Sequence, residues 1–175
     1  PTRQMNTFLG VNFLVTHHYE PSSAISYVRQ LCIKNPQTLQ RGPDFLFHII
    51  IDEIVDNYTP VIEYFDQQLD IIEASIFQDF QSATLPKLLG IKKGIIRLRK
   101  ITTYQREILN RLSRGEFPLI STEEMLYYRN VYDHLVRIAD LVESYRENVA
   151  GLLEAYLSVN SNRMNQVMKV LTVIS

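Results

Sequence analysis

The sequence is poor in cysteine and tryptophan and lacks long apolar runs. It has one Cys and no Trp among 175 residues, which excludes a disulfide scaffold and a zinc site built from several cysteines. No stretch approaches the roughly 20 apolar residues that cross a bilayer, and no secretory signal opens the chain. With a formal net charge of −1, the totals alone predict a near-neutral, soluble protein of a reducing, cytoplasmic compartment.

The residue patterns of enzymes and of nucleic-acid-binding proteins are also missing. We find no nucleophile–base pair, no phosphate-binding loop and no pair of carboxylates flanking a cleft, so we do not expect an enzyme. The basic part of the chain has no interleaved aromatic residue except Tyr104, which argues against nucleic acid. His17 and His18 are neighbours in a predicted strand and point to opposite faces, so we do not expect them to share a metal ion. Single histidines, His48 and His134, are interpreted as packing or capping residues.

The near-zero net charge conceals strongly polarised segments. Residues 44–80 contain nine acidic residues and no Lys or Arg, whereas residues 81–115 contain nine basic residues and one acidic residue. These segments carry −9 and +8, and they nearly cancel. If they fold as antiparallel helices, their opposite charges can face each other across the hairpin, as exposed pairs that contribute under about 1 kcal/mol each.

The N-terminal part has the pattern of a small β-hairpin followed by a helix. Residues 7–18 alternate around Gly10, which predicts two short strands joined by a tight turn. A lone hairpin is marginal in water, so we expect it to be a remnant of a larger α/β domain and the chain to be a fragment. A helix is predicted from Ser22–Ser23 to Asn35, where Pro36 stops it.

The remainder predicts three long helices. The first covers residues 44–80 with a kink at Pro60, the second covers residues 82–113 and stops before Gly115, and the third runs from Ser121 to Ser175. The fold class is therefore α+β and predominantly α. We divide it into the hairpin segment (1–43), a long antiparallel helical hairpin (44–118) and a stalk helix of about 50 residues (119–175).

The stalk helix carries two regular stripes. Nine apolar residues from Val131 to Val159 alternate in steps of four and three, the pattern of a coiled-coil seam that requires a partner helix. A second stripe consists of acids seven residues apart, and its extension becomes neutral and then apolar. Its acidic members are Asp133, Asp140, Glu147 and Glu154. A helix that grows more apolar toward Ser175 with no stop signal is expected to be cut before a membrane span.

Five runs of this sequence resemble the CorA family of magnesium/cobalt channels: residues 51–58, 128–134, 138–140, 151–158 and 161–172. The resemblance covers nearly the whole chain. It implies a homo-pentamer in which a cytoplasmic funnel surrounds five stalk helices that continue into the pore. The full protein would lie in the cell inner membrane through absent C-terminal helices, with this fragment facing the cytoplasm.

The resemblance also implies roles for individual residues. Glu154 would form an acidic ring above the pore, and the pore mouth would be lined by Asn165, Met168, Leu171 and Thr172. The ion transported would be Mg²⁺, with Co²⁺ or Zn²⁺ as other possibilities.

Regulatory Mg²⁺ would bind between subunits at Asp52, with Asp56 and Asn130 as further candidates. Asn130 stands where the family pattern usually has Asp, and its uncharged carbonyl should bind the cation more weakly. Two alternatives are a zinc transporter of the same superfamily and, from another class, a soluble helical coiled-coil regulator or adaptor.

Overall fold

The chain is described by a computed structural model that covers residues 4–78, 81 and 83–174. Two strands, β1 (Met5–Leu9) and β2 (Leu14–His18), precede helix α1 (Ser23–Lys34) and a 3₁₀ helix (Pro36–Arg41). Four helices follow: α2 (Pro43–Asp56), α3 (Thr59–Phe77), α4 (Thr84–Ser113) and α5 (Met125–Ile174). The predicted fold class, α+β and predominantly α, is confirmed.

The predicted hairpin forms with the expected strands. The strands pair antiparallel, with Met5 opposite His18 and Leu9 opposite Leu14. The Gly10 amide donates to the Phe13 carbonyl at 2.9 Å. A Cβ atom added to Gly10 would overlap atoms of the Phe13 ring. A larger residue at this position would therefore require the exposed Phe13 side chain to move. The following helix starts as predicted, because the Ser22 hydroxyl accepts a hydrogen bond from the Ile25 amide.

The prediction of one helix over residues 44–80 with a kink at Pro60 was wrong, because the chain forms two helices. Helix α2 ends at Asp56 and α3 begins at Thr59, and the amide of Tyr58 closes a tight turn onto Val55 at 3.0 Å. Pro60 then occupies the first turn of α3, where its missing N–H costs no hydrogen bond. Phe80, the predicted end of this helix, lies outside the described residues.

Helix α5 begins slightly later than predicted, and Ser82, the predicted start of α4, lies outside the described residues. Helix α4 starts at Thr84, and α5 starts at Met125, after a turn over residues 122–124. The end of α4 is a Schellman motif, in which the amides of Gly115 and Glu116 donate to the carbonyls of Leu112 and Arg111. Gly115 adopts φ +68°, a conformation that favours glycine.

The chain divides into two compact units. Unit 1 comprises Pro1–Thr59 with Thr103–Ile138, and unit 2 comprises Pro60–Thr102 with Ala139–Ser175. The core of unit 1 includes buried side chains of α1, α2 and α5, such as Val28, Val55 and Leu135. The core of unit 2 is built from three helices. Its buried apolar residues are Ile62, Phe65, Leu69, Ile72 and Ile76 of α3, Leu88, Ile91, Ile95 and Leu98 of α4, and Val142, Val149, Leu152 and Tyr156 of α5.

Helices α3 and α4 form an antiparallel hairpin within unit 2, but its contact is apolar rather than ionic. The hydroxyls of Ser75 and Thr84 lie 2.6 Å apart near the connection, and the Phe65 ring packs on Gly94. The predicted charge pairs across the hairpin do not form for the α3 acids Glu63, Asp70 and Glu73 or the α4 bases Lys93, Arg97 and Lys100. Among the described residues none of these six makes an ion pair, because the apolar faces meet and leave the charges exposed.

Across the described ranges, none of the helices is both long enough and apolar enough to pass through a lipid bilayer.

Candidate functional site

The acidic stripe of α5 lies on the side opposite to its packed face. Asp133, Asp140, Glu147 and Glu154 are all exposed, whereas Val142, Val149 and Leu152 are at most 5% exposed. At about 100° per residue, a step of seven residues turns the position by only about 20°. The four carboxylates therefore follow one side of the helix, and the apolar seam follows the other.

The same side of α5 continues toward the C-terminus with neutral residues. Asn165, Met168 and Thr172 lie within about 60° of the direction of Glu154, whereas Leu171 is turned away by about 100°. Residues 160–172 are all exposed. The Thr172 hydroxyl donates to the Met168 carbonyl at 2.8 Å. The stripe thus changes from charged oxygens to an amide and then to a thioether.

A second group of candidate residues lies where α2 meets α5 in unit 1. An oxygen of Asp56 and Nδ1 of His134 are 3.2 Å apart. Asp52 lies one turn before Asp56 on α2, and Asn130 lies one turn before His134 on α5, where it is exposed. Residues four apart share one side of a helix, so Asp52 lies on the same side of α2 as Asp56, and Asn130 lies on the same side of α5 as His134.

The electrostatics of this group are those of crowded, partly buried carboxylates. Burial raises the pKa of Asp52, and the negative charges of Asp56 and Glu53 raise it further, while His134 lowers it. A bound cation would relieve this repulsion, and carboxylate and amide oxygens are the ligands that Mg²⁺ prefers. Within the described ranges, however, no group of three or more His, Cys, Asp or Glu side chains is arranged to hold a metal ion.

His134 was missed as a functional candidate by the sequence interpretation, which gave it a packing or capping role. The available signal was its spacing, because it lies four residues after Asn130 and so shares its helix face. The contact between His134 and Asp56 could not be recognised from the sequence, because the two residues are 78 positions apart in the chain.

A buried polar cluster joins the start of α2 to the start of α5. The Asp44 carboxylate, 7% exposed, accepts hydrogen bonds from the amides of Phe45 and Ser121 at 3.0 Å each. The Tyr128 hydroxyl donates to the Asp44 carbonyl at 2.7 Å. Arg41 bonds both oxygens of the 4%-exposed Glu124 at 2.7 and 3.0 Å. The Tyr128–Asp44 bond joins α5 to α2 directly. The Ser121 and Glu124 contacts hold the segment just before α5 against α2 and the 3₁₀ helix.

His48 completes this cluster as a buried ring with an unused nitrogen. It is 8% exposed and packs against the rings of Phe45, Tyr127 and Tyr128 at centroid distances of 5.2 to 5.8 Å. Its Nδ1 has no hydrogen-bond partner among the described residues. Burial, together with the positive charge of Arg41, lowers its pKa to about 4.

In unit 2, polar contacts hold the acidic part of α5 against α3 and α4. The Tyr145 hydroxyl donates to Asp66 at 3.0 Å, and Arg99 bonds Glu143 at 2.6 Å. Burial, with a contribution from Asp66, raises the pKa of Tyr145 to about 12, so the phenol remains a donor at neutral pH. Glu143 is used in this internal contact, whereas the stripe residue Glu147 lies on the exposed side.

Known proteins resemble this chain in sequence and in structure. The sequence matches a family model described as "CorA-like Mg2+ transporter protein" over residues 1–175. The cobalt/magnesium transport protein CorA of Thermotoga maritima is 41% identical over 136 residues, which are 78% of this chain and 39% of that protein. The putative metal ion transporter YfjQ of Bacillus subtilis is 29% identical over 174 residues, which are 99% of this chain and 54% of that protein.

The fold agrees with these sequence relationships. The complete structure of the CorA magnesium transporter from Methanocaldococcus jannaschii superposes with a TM-score of 0.81 at 25% identity, covering 92% of this chain and 51% of that one. This chain therefore spans between 39% and 54% of the length of these three proteins. The match over all 175 residues shows that the chain belongs to the family of CorA-like Mg²⁺ transporter proteins.

Proposed function

We propose that this chain is the cytoplasmic part of a divalent-cation channel that conducts Mg²⁺ and also accepts Co²⁺. The supporting observation is the one-sided polar stripe of α5, which faces away from the packed core and changes from acidic to neutral along its length. Such a face is suited to line a water-filled axis when several copies of α5 surround it. The family assignment favours this hypothesis over a helical adaptor.

The proposed assembly is a homo-pentamer in which α5 surrounds the axis. Five copies of Glu154 would form an acidic ring that raises the local concentration of divalent cations. Further rings of neutral side chains would follow along the axis, formed by Asn165, Met168 and Thr172. Leu171 would lie at the edge of this lining. Amide and hydroxyl oxygens contact the water shell of an ion without binding it tightly, because Mg²⁺ loses its hydration water reluctantly.

The full protein would act in the cell inner membrane, with the part described by this structure on the cytoplasmic side. The contribution of this chain is to bind, concentrate and admit ions, and no step makes or breaks a covalent bond.

The test is ion flux through the full-length protein in vesicles loaded with a Mg²⁺-sensitive dye. We expect Mg²⁺ and Co²⁺ to enter, and Glu154→Gln to reduce entry most strongly at low ion concentration and low ionic strength, because the ring acts by attraction. Glu107→Gln, which removes an exposed carboxylate of α4, is the matched control. Vesicles that admit no Mg²⁺ while an ionophore restores the signal contradict the proposal, and selective Zn²⁺ entry favours the zinc alternative.

We further propose that Mg²⁺ binding at Asp52, Asp56 and Asn130 regulates the channel, with His134 holding Asp56 in place. Since one copy supplies too few ligands, the remainder would come from a neighbouring copy and from water. Binding would favour the assembled, closed funnel over an open one, because it adds contacts that only the closed state makes.

Protease protection of the full-length protein against Mg²⁺ concentration tests this regulatory role. We expect Mg²⁺ to protect the wild type and Asp56→Asn to shift the protection midpoint to higher Mg²⁺, because one ligand charge is lost. Glu107→Gln, which removes an exposed carboxylate of α4, is the matched control. Identical midpoints for all three proteins would refute the site, while flux in the previous assay would leave the channel function intact.

A further inference from the structure

Helices α3 and α4 each present an outward face of exposed residues. On α4 this face contains exposed Leu89 and Ile96, 40% and 50% accessible, together with exposed Lys93 and Lys100. These positions lie opposite the buried residues Ile91, Ile95 and Leu98 when placed at about 100° per residue. The face is therefore basic and apolar.

The outward face of α3 has the opposite charge and a similar apolar content. Exposed Tyr64 and Ile71, 52% and 55% accessible, lie beside exposed Glu63 and Asp70. They are placed opposite the buried residues Ile62, Phe65 and Leu69. This face is acidic and apolar, and unlike Asp66, which accepts a hydrogen bond from Tyr145, its two acids have no ion-pair partner among the described residues.

The two faces match in spacing as well as in charge. On α3 an acid and an apolar residue occur together at 63–64 and again at 70–71. On α4 an apolar residue and a lysine occur at 89 and 93 and again at 96 and 100. Each pattern repeats after seven residues, which is about 10.5 Å along a helix. Two acids and two lysines can therefore meet while both apolar pairs are covered.

We propose that these faces bind each other between copies of the chain, with α3 of one copy on α4 of the next. They cannot pair within one hairpin, because α3 and α4 already meet through their buried faces. A contact between two different faces is heterologous, so it repeats around a closed ring or along a filament. The occupant is a second copy because it carries the complementary charge and spacing. The inference rests on the proposed function only in requiring a homo-oligomer.

The test is self-association of the purified chain by sedimentation at low and high salt. We expect association to weaken with salt, because exposed charge pairs are screened. The double variants Lys93→Glu/Lys100→Glu and Glu63→Lys/Asp70→Lys should each weaken it by about tenfold or more. The matched control Lys87→Glu/Arg106→Glu makes the same change of charge at exposed positions of α4 that lie off the outward face, and it should leave association near the wild-type level.

Mixing the two double variants is the decisive measurement. Each variant repels itself, but every contact between the two variants in the mixture is either the wild-type contact or its full reversal, so the mixture should associate at least several-fold more strongly than either variant alone. A ring of five keeps at least one repelling contact, so the mixture should remain below the wild type. A wild-type chain that stays monomeric at low salt overturns the proposal, and so does a mixture that fails to associate while both variants keep their helical content. If either of these outcomes is found while the full-length protein still conducts Mg²⁺, the proposed contact is rejected and the channel function is not.

If Lys93→Glu/Lys100→Glu weakens association but Glu63→Lys/Asp70→Lys has no effect, the basic face of α4 binds something other than α3, and the proposal fails.

Discussion

At the scale of single residues, the buried polar groups of unit 1 gather where α2 and α5 begin. Asp44 is almost fully buried, yet it is stabilised as an anion. Burial would raise its pKa, but hydrogen bonds from Ser121 and Phe45 outweigh this and lower the pKa below its usual value. His48 is the opposite case, since its ring nitrogen gains no partner and only its neutral form fits the site. The two residues therefore respond to acid in different pH ranges.

The pKa of His48 predicts a loss of stability in mild acid. The unfolded chain binds a proton at the ordinary histidine pKa of 6.5, whereas the folded chain binds it only at about 4. The free energy of unfolding is therefore complete above pH 6.5 and falls as the pH drops toward 4, by at most about 3 kcal/mol. The lowered pKa of Asp44 adds a further loss only below its unfolded pKa of 3.8.

His48→Phe should remove the first of these losses. A phenyl ring fits among the neighbouring aromatic rings and cannot be protonated. We expect urea unfolding at pH 7 to be similar for both proteins, and the variant to be more stable than the wild type at pH 4.5. A wild type and a variant with parallel stability curves between pH 7 and 4.5 would show that His48 does not carry this dependence.

At the scale of elements, the helices were predictable where a periodic pattern was bounded by strong local signals. Ser22 and Asn35 bound α1, and Gly115 ends α4, as the sequence predicts. The division between α2 and α3 was missed because the apolar stripe continues across Asn57 and Tyr58. There Pro60 has two permitted positions, inside a kinked helix or in the first turn of a new one. Choosing between them depends on tertiary packing that a local pattern does not contain.

The glycine pair of α4 separates helix propensity from packing. Gly90 has no atom within 4 Å of where a Cβ would lie, whereas a Cβ on Gly94 would approach the Phe65 ring to 3.0 Å. Replacing a glycine in a helix interior by alanine gains about 0.5 to 1 kcal/mol from backbone entropy. Gly90→Ala should therefore stabilise the protein by that amount.

Gly94→Ala should gain less, or destabilise the protein, because Phe65 must move. Chemical denaturation of both variants measures the difference directly. Equal stabilisation by the two substitutions would mean that Gly94 is not needed for close packing of α3 on α4. The structure shows a close helix contact at Gly94 and none at Gly90.

At the scale of the whole molecule, the small net charge results from surfaces of opposite sign that remain separate. The stripe from Asp133 to Glu154 could be predicted from the sequence because a seven-residue repeat fixes one side of a helix without any tertiary information. The Asp56–His134 contact could not, because it depends on how α2 and α5 are fixed by Asp44, Glu124 and Tyr128. Regular surfaces are thus readable from sequence, whereas sites assembled from distant segments require the fold.

The proposed regulatory site makes a prediction about Asn130. Its carbonyl contributes no charge, so Asn130→Asp should tighten Mg²⁺ binding by about tenfold, which corresponds to about 1.4 kcal/mol. In the full-length protein, the Mg²⁺ concentration that gives half-maximal protease protection should fall by that factor. Asn148→Asp places the same charge on α5 about five turns away, at another exposed position, and should leave the midpoint unchanged. If both substitutions shift the midpoint equally, the effect is one of general charge, and Asn130 is not a ligand position.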